Sequence, residues 1–281
     1  MRPNTVQRIE PLQEPDGMRV RLAQLTKKEH GSVLCYPGTD LKTFSSRVKQ
    51  LRQLGVKELI LEGDSKIGKY GVLGKGCVSV AVRAVLKNEP QVVALKIRRA
   101  DANRPSMQKD FELQRLANSF GVAPRAIAAS RDFFAMEYVD SIKIGKWFKR
   151  LKTRTPKREV RKMIRNILTQ CYLLDIHKLD HGELSNPSKH VLIRKNTPEP
   201  ETVIIDYESA STNRRCSNVT SVAQFLLLGG RQGAKVGKIL GIDQEVAKQS
   251  RISQRLIELL RGYKEAPSQE SFERVMSFIK C

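Results

Sequence analysis

Apolar positions along the chain follow two different periods, and the change from one to the other marks its organisation. Leu41, Phe44, Val48, Leu51 and Leu54 are spaced by three and four residues after Asp40, which predicts an N-capped helix ending at Gly55. Residues 32–36 and 58–63 read as short strands on either side of it. The first 30 residues are polar and contain proline, so a loosely ordered arm is expected there. From Ile67 the pattern turns to apolar runs broken by tight turns, with strands predicted over 69–73, 78–86 and 92–97. Strand, turn, strand of this kind predicts consecutive antiparallel hairpins. A helix over about 110–119, closed by Gly121, and strands over 126–129 and 133–138 complete this stretch.

Beyond Asp140 the helical period dominates. Ile164, Ile167, Leu168, Cys171 and Leu174 repeat at three and four residues and predict one buried helix face. Two short strands, 191–193 and 202–205, interrupt this half across a turn-rich link, 196–200. From about 219 to 280 helices alternate with glycine turns. The pattern is α+β, with strands first and helices after.

Composition narrows what such a chain can be. With 281 residues and 40% hydrophobic content, it has ample material for a buried core. No apolar run approaches the 18 residues of a membrane-spanning helix, and the opening 20 residues lack the apolar stretch of a secretory signal. The five cysteines (Cys35, Cys77, Cys171, Cys216, Cys281) are scattered and never spaced as C-x-x-C, a pattern suited to a reducing cytoplasm. Lys and Arg number 51 against 29 Asp and Glu, a net charge of +22 that calls for a polyanionic partner such as nucleic acid or a ribonucleoprotein.

Four short motifs carry candidate chemistry. In Leu73-Gly74-Lys75-Gly76-Cys77-Val78-Ser79, two glycines between strands would let backbone N–H groups approach phosphate oxygens, although glycine hairpins also form for purely structural reasons. Val93-Ala94-Leu95-Lys96 places a lysine near the end of a buried strand, 22 residues after Gly74. Its ammonium needs a partner or a route to water, and Glu112, 16 residues on in the next helix, is a candidate partner. Asp180-His181-Gly182-Glu183 follows a helix, and Val203-Ile204-Ile205-Asp206 sets a carboxylate after an apolar strand. Such a carboxylate can hold a divalent cation or simply begin a turn.

The order of these motifs resembles the protein-kinase-like superfamily, and more narrowly the small archaeal RIO-like predicted serine/threonine kinases. The resemblance spans about 70–228, with the front 66 residues similar to the extension of that archaeal group. It implies an α+β, two-lobed protein-kinase-like fold: an extension over 1–66, an antiparallel-sheet N-lobe over 67–139 and a reduced helical C-lobe over 140–281. It also implies an ATP-dependent kinase or ATPase acting with Mg²⁺ or Mn²⁺ on a protein substrate or on itself. Gly74, Lys75, Gly76 and Ser79 would cover the phosphates. Lys96, positioned by Glu112, would hold the α- and β-phosphates, while backbone groups of Glu137 and Val139 would face the adenine. Asp206 would bind the metal.

Two departures bear on this likeness. Glu183 stands where the family has its catalytic Asp; the extra methylene moves the oxygens by roughly 1 Å, enough to cost about 10²-fold. Ser188 occupies the place of the metal-binding Asn, leaving Asn186 or His190 as alternative second ligands. The alternative function is therefore a nucleotide-binding pseudokinase that serves as a module for RNA or a ribosomal particle. Eleven basic residues between Lys143 and Arg165, against Glu159 alone, give that module a candidate rRNA-contact surface or a merely solvated face. Trp147 and Phe148, at helical spacing within that run, are expected to pack inward. His177 and His181 lie four residues apart, as two metal ligands on one helix face can, but no third ligand is near them in sequence.

Overall fold

The computed structural model describes residues 17–241 and 251–280. The opening 16 residues, on which the arm was partly expected, and Cys281 lie outside the described residues. The chain divides by compactness into a unit ending at Asn103 and a second beginning at Arg104.

In the first unit, β1 (Met18–Arg21), β2 (Val56–Leu61), β6 (Ser79–Leu86) and β7 (Val93–Arg98) lie in that order as an antiparallel sheet. A two-residue strand, β5 (Gly74–Lys75), adds to β6, and β3 (Ser65–Ile67) pairs separately with β4 (Tyr70–Val72). Residues 17–66 thus share a sheet with the glycine hairpin, because β2 pairs directly with β6. Along β6 the side chains of Val80, Val82, Ala84 and Leu86 are buried while those between are half-buried, the period-2 signature of a one-sided strand. In β7 burial is continuous from Val93 to Ile97 and includes Lys96.

Two helices close this unit. Helix α2 (Leu41–Gln53) starts at Asp40, whose carboxylate accepts the Thr43 N–H at 2.7 Å. The strand expected over 32–36 does not form. Its first half belongs to α1 (Lys27–Leu34), which Thr26 caps by accepting the Glu29 N–H. Thr26-Lys27-Lys28-Glu29 is a capping-box sequence, and four apolar residues cannot by themselves distinguish strand from helix. Arg47, fully buried on α2, donates to the carbonyl of Leu34 at the open end of α1, where carbonyls lack intrahelical partners.

The second unit opens with α3 (Gln108–Ser119) and the hairpin β8 (Ala126–Ala129)–β9 (Phe133–Glu137). A three-stranded sheet follows, in the order β10 (Ser141–Lys143), β11 (Val191–Arg194), β12 (Thr202–Ile204), all antiparallel. Helices α4 (Ile144–Arg150) and α5 (Lys157–Ile176) pack on this sheet, and α6 (Asn218–Ala223), α7 (Gly230–Leu240), α8 (Arg251–Glu265) and α9 (Gln269–Lys280) complete the helical part of the unit. Helix α5 is the centre of the core: Ile164, Ile167, Leu168, Cys171 and Leu174 are all buried in one apolar cluster. Burial of side chains of this size is worth about 1.5–3 kcal/mol each. Phe148 is buried in the same cluster and Trp147 packs against it, so this aromatic pair faces inward as expected.

The chain is α+β, with antiparallel strands first and helices after. No helix of the described residues is long and apolar enough to cross a membrane. Cys35, Cys77, Cys171 and Cys216 form no disulfide.

Candidate functional site

The loop between α5 and β11 gathers the acidic and imidazole groups of the second unit. It is set by a buried network at the end of α5. Asp175 receives four hydrogen bonds: to Oδ1 from the Asn218 N–H (3.1 Å) and side-chain amide (2.7 Å), and to Oδ2 from the Val219 N–H (3.1 Å) and the Tyr263 hydroxyl (3.0 Å). Burial pushes the Asp175 pKa up, and these four donors pull it back. Asn218 in turn donates to the Leu179 carbonyl at 2.8 Å and accepts the His181 N–H at 2.9 Å. The first residue of α6 therefore fixes the backbone just ahead of Glu183. Asp180 is tied to Ser211 by reciprocal backbone bonds, and its carboxylate accepts from Arg214 and the Ser217 N–H.

His181 is fully buried and its Nε2–H donates to the Ile205 carbonyl at 3.0 Å, which assigns the tautomer. Burial lowers its pKa to about 4, so the ring is neutral at pH 7. Gly182 takes a φ of +88°, and a Cβ there would lie 2.6 Å from the Ser209 carbonyl oxygen, so only glycine fits the turn that delivers Glu183.

Glu183 Oε1 accepts from the Ser209 hydroxyl, and Oε2 lies 3.1 Å from His190 Nε2. His190 is buried and its other ring nitrogen faces Asp206 Oδ2 at 3.9 Å, beyond hydrogen-bond length. One imidazole thus stands between two carboxylates. Asp206 follows β12 with a left-handed backbone, φ +76°, a conformation that persists in a non-glycine residue only where surrounding structure enforces it. About a third of each carboxylate side chain remains open to solvent, 34% for Glu183 and 31% for Asp206.

Asn186 is exposed and its Oδ1 accepts the Ser188 N–H at 3.3 Å, closing a local turn. Among the described residues no three His, Cys, Asp or Glu side chains are gathered closely enough to hold an ion by themselves. The second ring of the His177–His181 spacing is turned elsewhere: His177 stacks on Phe120 at 3.8 Å.

The remaining groups of the second unit are placed as follows. Glu112 is exposed on α3 and accepts from Gln108 at 3.0 Å. The buried acid of α3 is Asp110, which pairs with Arg104, and Arg104 also donates to the Glu208 carbonyl. The Glu137 N–H donates to the Arg125 carbonyl at 2.8 Å, its carboxylate pairs with Arg194 at 2.8 Å, and the Val139 carbonyl accepts the Ser141 hydroxyl at 2.9 Å.

In the first unit, Gly74 and Lys75 pair with Ala81 and Val80, and the Gly76 N–H closes the turn on the Ser79 carbonyl at 2.8 Å. Neither glycine has positive φ. A Cβ on Gly74 would meet nothing within 4 Å, and one on Gly76 would meet only Ser79 O at 3.4 Å. The hairpin itself therefore does not require glycine at either place. Lys75 lies over the Tyr36 ring, as does Arg99, which also donates to the Gly76 carbonyl. Lys96 stands opposite Ala81 on the neighbouring strand.

Asp175, Asn218 and Arg104 were not singled out from sequence. Each acts at least in part on residues 37 to 104 positions away, with only the isolated polar residue in an apolar helix (Asp175 between Leu174 and Ile176) as a signal. No protein-family model matches the chain, and no curated protein sequence matches it either.

Proposed function

We propose that the chain is an ATP-dependent phosphotransferase of RIO-like type, with a protein-kinase-like fold whose N-lobe spans 67–139 and whose C-lobe spans 140–281. The observation that carries this reading is the Glu183–His190–Asp206 array, two part-exposed carboxylates on either side of one buried imidazole. In it Glu183 acts as the base-like carboxylate that receives the proton of an attacking hydroxyl; each of its oxygens retains a lone pair beyond the bond it accepts. Asp206 supplies hard carboxylate oxygens suited to Mg²⁺ or Mn²⁺. For Mg²⁺, a hard cation, the Asn186 amide oxygen is a better second ligand than an imidazole nitrogen of His190. The cation's own contribution is neutralisation of the phosphate charge.

Support from the first unit is the glycine hairpin. Glycines with no structural requirement, beside buried Ser79 and Lys96, suit close approach of a triphosphate to backbone N–H groups. The test is ADP release by purified protein with ATP and Mn²⁺ or Mg²⁺, with loss in Asp206→Ala and Lys96→Ala. ATP binding without turnover under either metal would favour the second reading, a nucleotide-binding module. That reading is motivated by Glu183 and Ser188 at the two positions where the family has Asp and Asn.

A further inference from the structure

Helix α5 carries a charge arrangement that weakens the helix. Lys157, Arg158, Arg161 and Lys162 occupy its first two turns, at the positive end of the dipole, with Glu159 alone among them. Pairs 157/161, 158/162 and 161/165 set like charges four residues apart, which is destabilising. Lys162 is offset by Glu199 across the surface. Arg158, Arg161, Lys162 and Arg165 line one wall of a cavity of about 320 Å³, opposite Met276 and Ile279 of α9. Arg165 and Met276 also line a second cavity, of about 560 Å³, that continues the groove between the same helices. There Tyr172 and Phe272 stack at 4.4 Å, with Glu273 the acid on that stretch.

We infer that the α5–α9 groove binds single-stranded nucleic acid, with phosphates on the α5 guanidinium groups and bases on the apolar and aromatic floor. Three of the four cations are Arg, whose planar fork matches phosphate oxygens. Arg158 and Arg165 are seven residues apart, roughly 10 Å along the helix, a reach of about three phosphates at the ~3.4 Å spacing of a stacked strand. The apolar floor and the stacked pair favour a nucleic acid over an acidic peptide, which has no flat apolar face to place there. Of the eleven basic residues between 143 and 165, the structure singles out these four; Lys149 and Arg150 stand apart on α4. This assignment is independent of phosphoryl transfer.

The test is fluorescence anisotropy of a labelled 12-nucleotide oligouridylate over a salt series, using the full chain. Arg158→Gln with Arg165→Gln should weaken binding at least about tenfold and lower the salt slope by about 1.4, at 0.7 per lost single-strand contact. The charge-matched control, Lys149→Gln with Arg150→Gln, should change affinity less than about threefold. Thermal unfolding should show both variants folded, since Arg158 and Arg165 are exposed and their neutralisation relieves like-charge pairs. Equal losses in the two variants, or none in the first, would overturn the groove. Competition by polyglutamate as effective as by unlabelled oligouridylate would overturn its assignment to nucleic acid.

Discussion

Glu183 Oε2 and His190 Nε2 lie 3.1 Å apart, joining the loop after α5 to the residue that enters β11. The link orients a carboxylate one methylene longer than the aspartate expected at that position. If Glu183 receives the substrate proton, Glu183→Gln should lower ADP release by about 10²-fold or more and leave ATP affinity nearly unchanged. His190→Ala should produce a smaller fall, about tenfold, through misplacement of the carboxylate, and His190→Gln should restore part of it by keeping a donor. Unchanged turnover in Glu183→Gln would remove Glu183 from the mechanism.

Two glycines offer a contrast between structural and ligand-imposed requirement. Gly182→Ala forces a Cβ against the Ser209 carbonyl in a left-handed turn and should destabilise the fold by at least about 2 kcal/mol. Gly74→Ala meets no protein atom within 4 Å and should leave the stability from urea unfolding within about 0.5 kcal/mol of wild type. If the hairpin covers phosphates, the same variant should bind ATP at least several-fold more weakly by titration calorimetry. Equal ATP affinity in Gly74→Ala would mean that phosphate does not approach this turn closely.

Much of this was legible in sequence where the physics is local. The α5 stripe, the Asp40 cap and the hairpin strands are set by periodicity and turn chemistry within a dozen residues, and they lie where those rules put them. Helix α1 is legible too, through Thr26 and Glu29, but the apolar run 32–36 masks the cap with a strand-like pattern. Strand β10 is not legible because one polar-apolar-polar triplet is too short to set a period, and pairing with β11 decides it. At the site, sequence order drew attention to Glu183, His190 and Asp206 but not to their mutual distances. It could not single out Asp175 or Asn218, because their role depends on α5, α6 and α8 meeting at one point.

That meeting point makes its own prediction. Asn218→Ala removes the acceptor of the His181 N–H and the donor to Leu179 and Asp175 in a buried setting. Stability should fall by about 2–3 kcal/mol, the cost of leaving buried polar groups unmatched. Turnover of the folded fraction should fall as well, because the backbone ahead of Glu183 loses its tie. Asn218→Asp keeps the acceptor for His181 but sets a second carboxylate against Asp175, so it should not rescue stability at pH 7. Wild-type denaturant midpoints in both variants would show that the network is incidental.

His181 sets a pH dependence of stability whose sign follows from its burial. Its folded pKa is lowered from the ordinary 6.5 to about 4, with the Ile205 carbonyl, His190, Asp206 and Glu183 as the groups around it. Between those two values the unfolded chain binds a proton that the native ring refuses, so the unfolded state gains as pH falls. The native state should therefore lose stability from about pH 6.5 downward, by up to about 3 kcal/mol near pH 4 from this residue alone. His181→Gln can still donate to the Ile205 carbonyl but cannot titrate. Its urea midpoint should start lower than wild type at pH 7.5 and decline less steeply toward pH 5, measured without added divalent metal. Parallel pH profiles for the two proteins would mean that His181 is solvated or already protonated in the native fold, contrary to its complete burial against Ile205 and Tyr207.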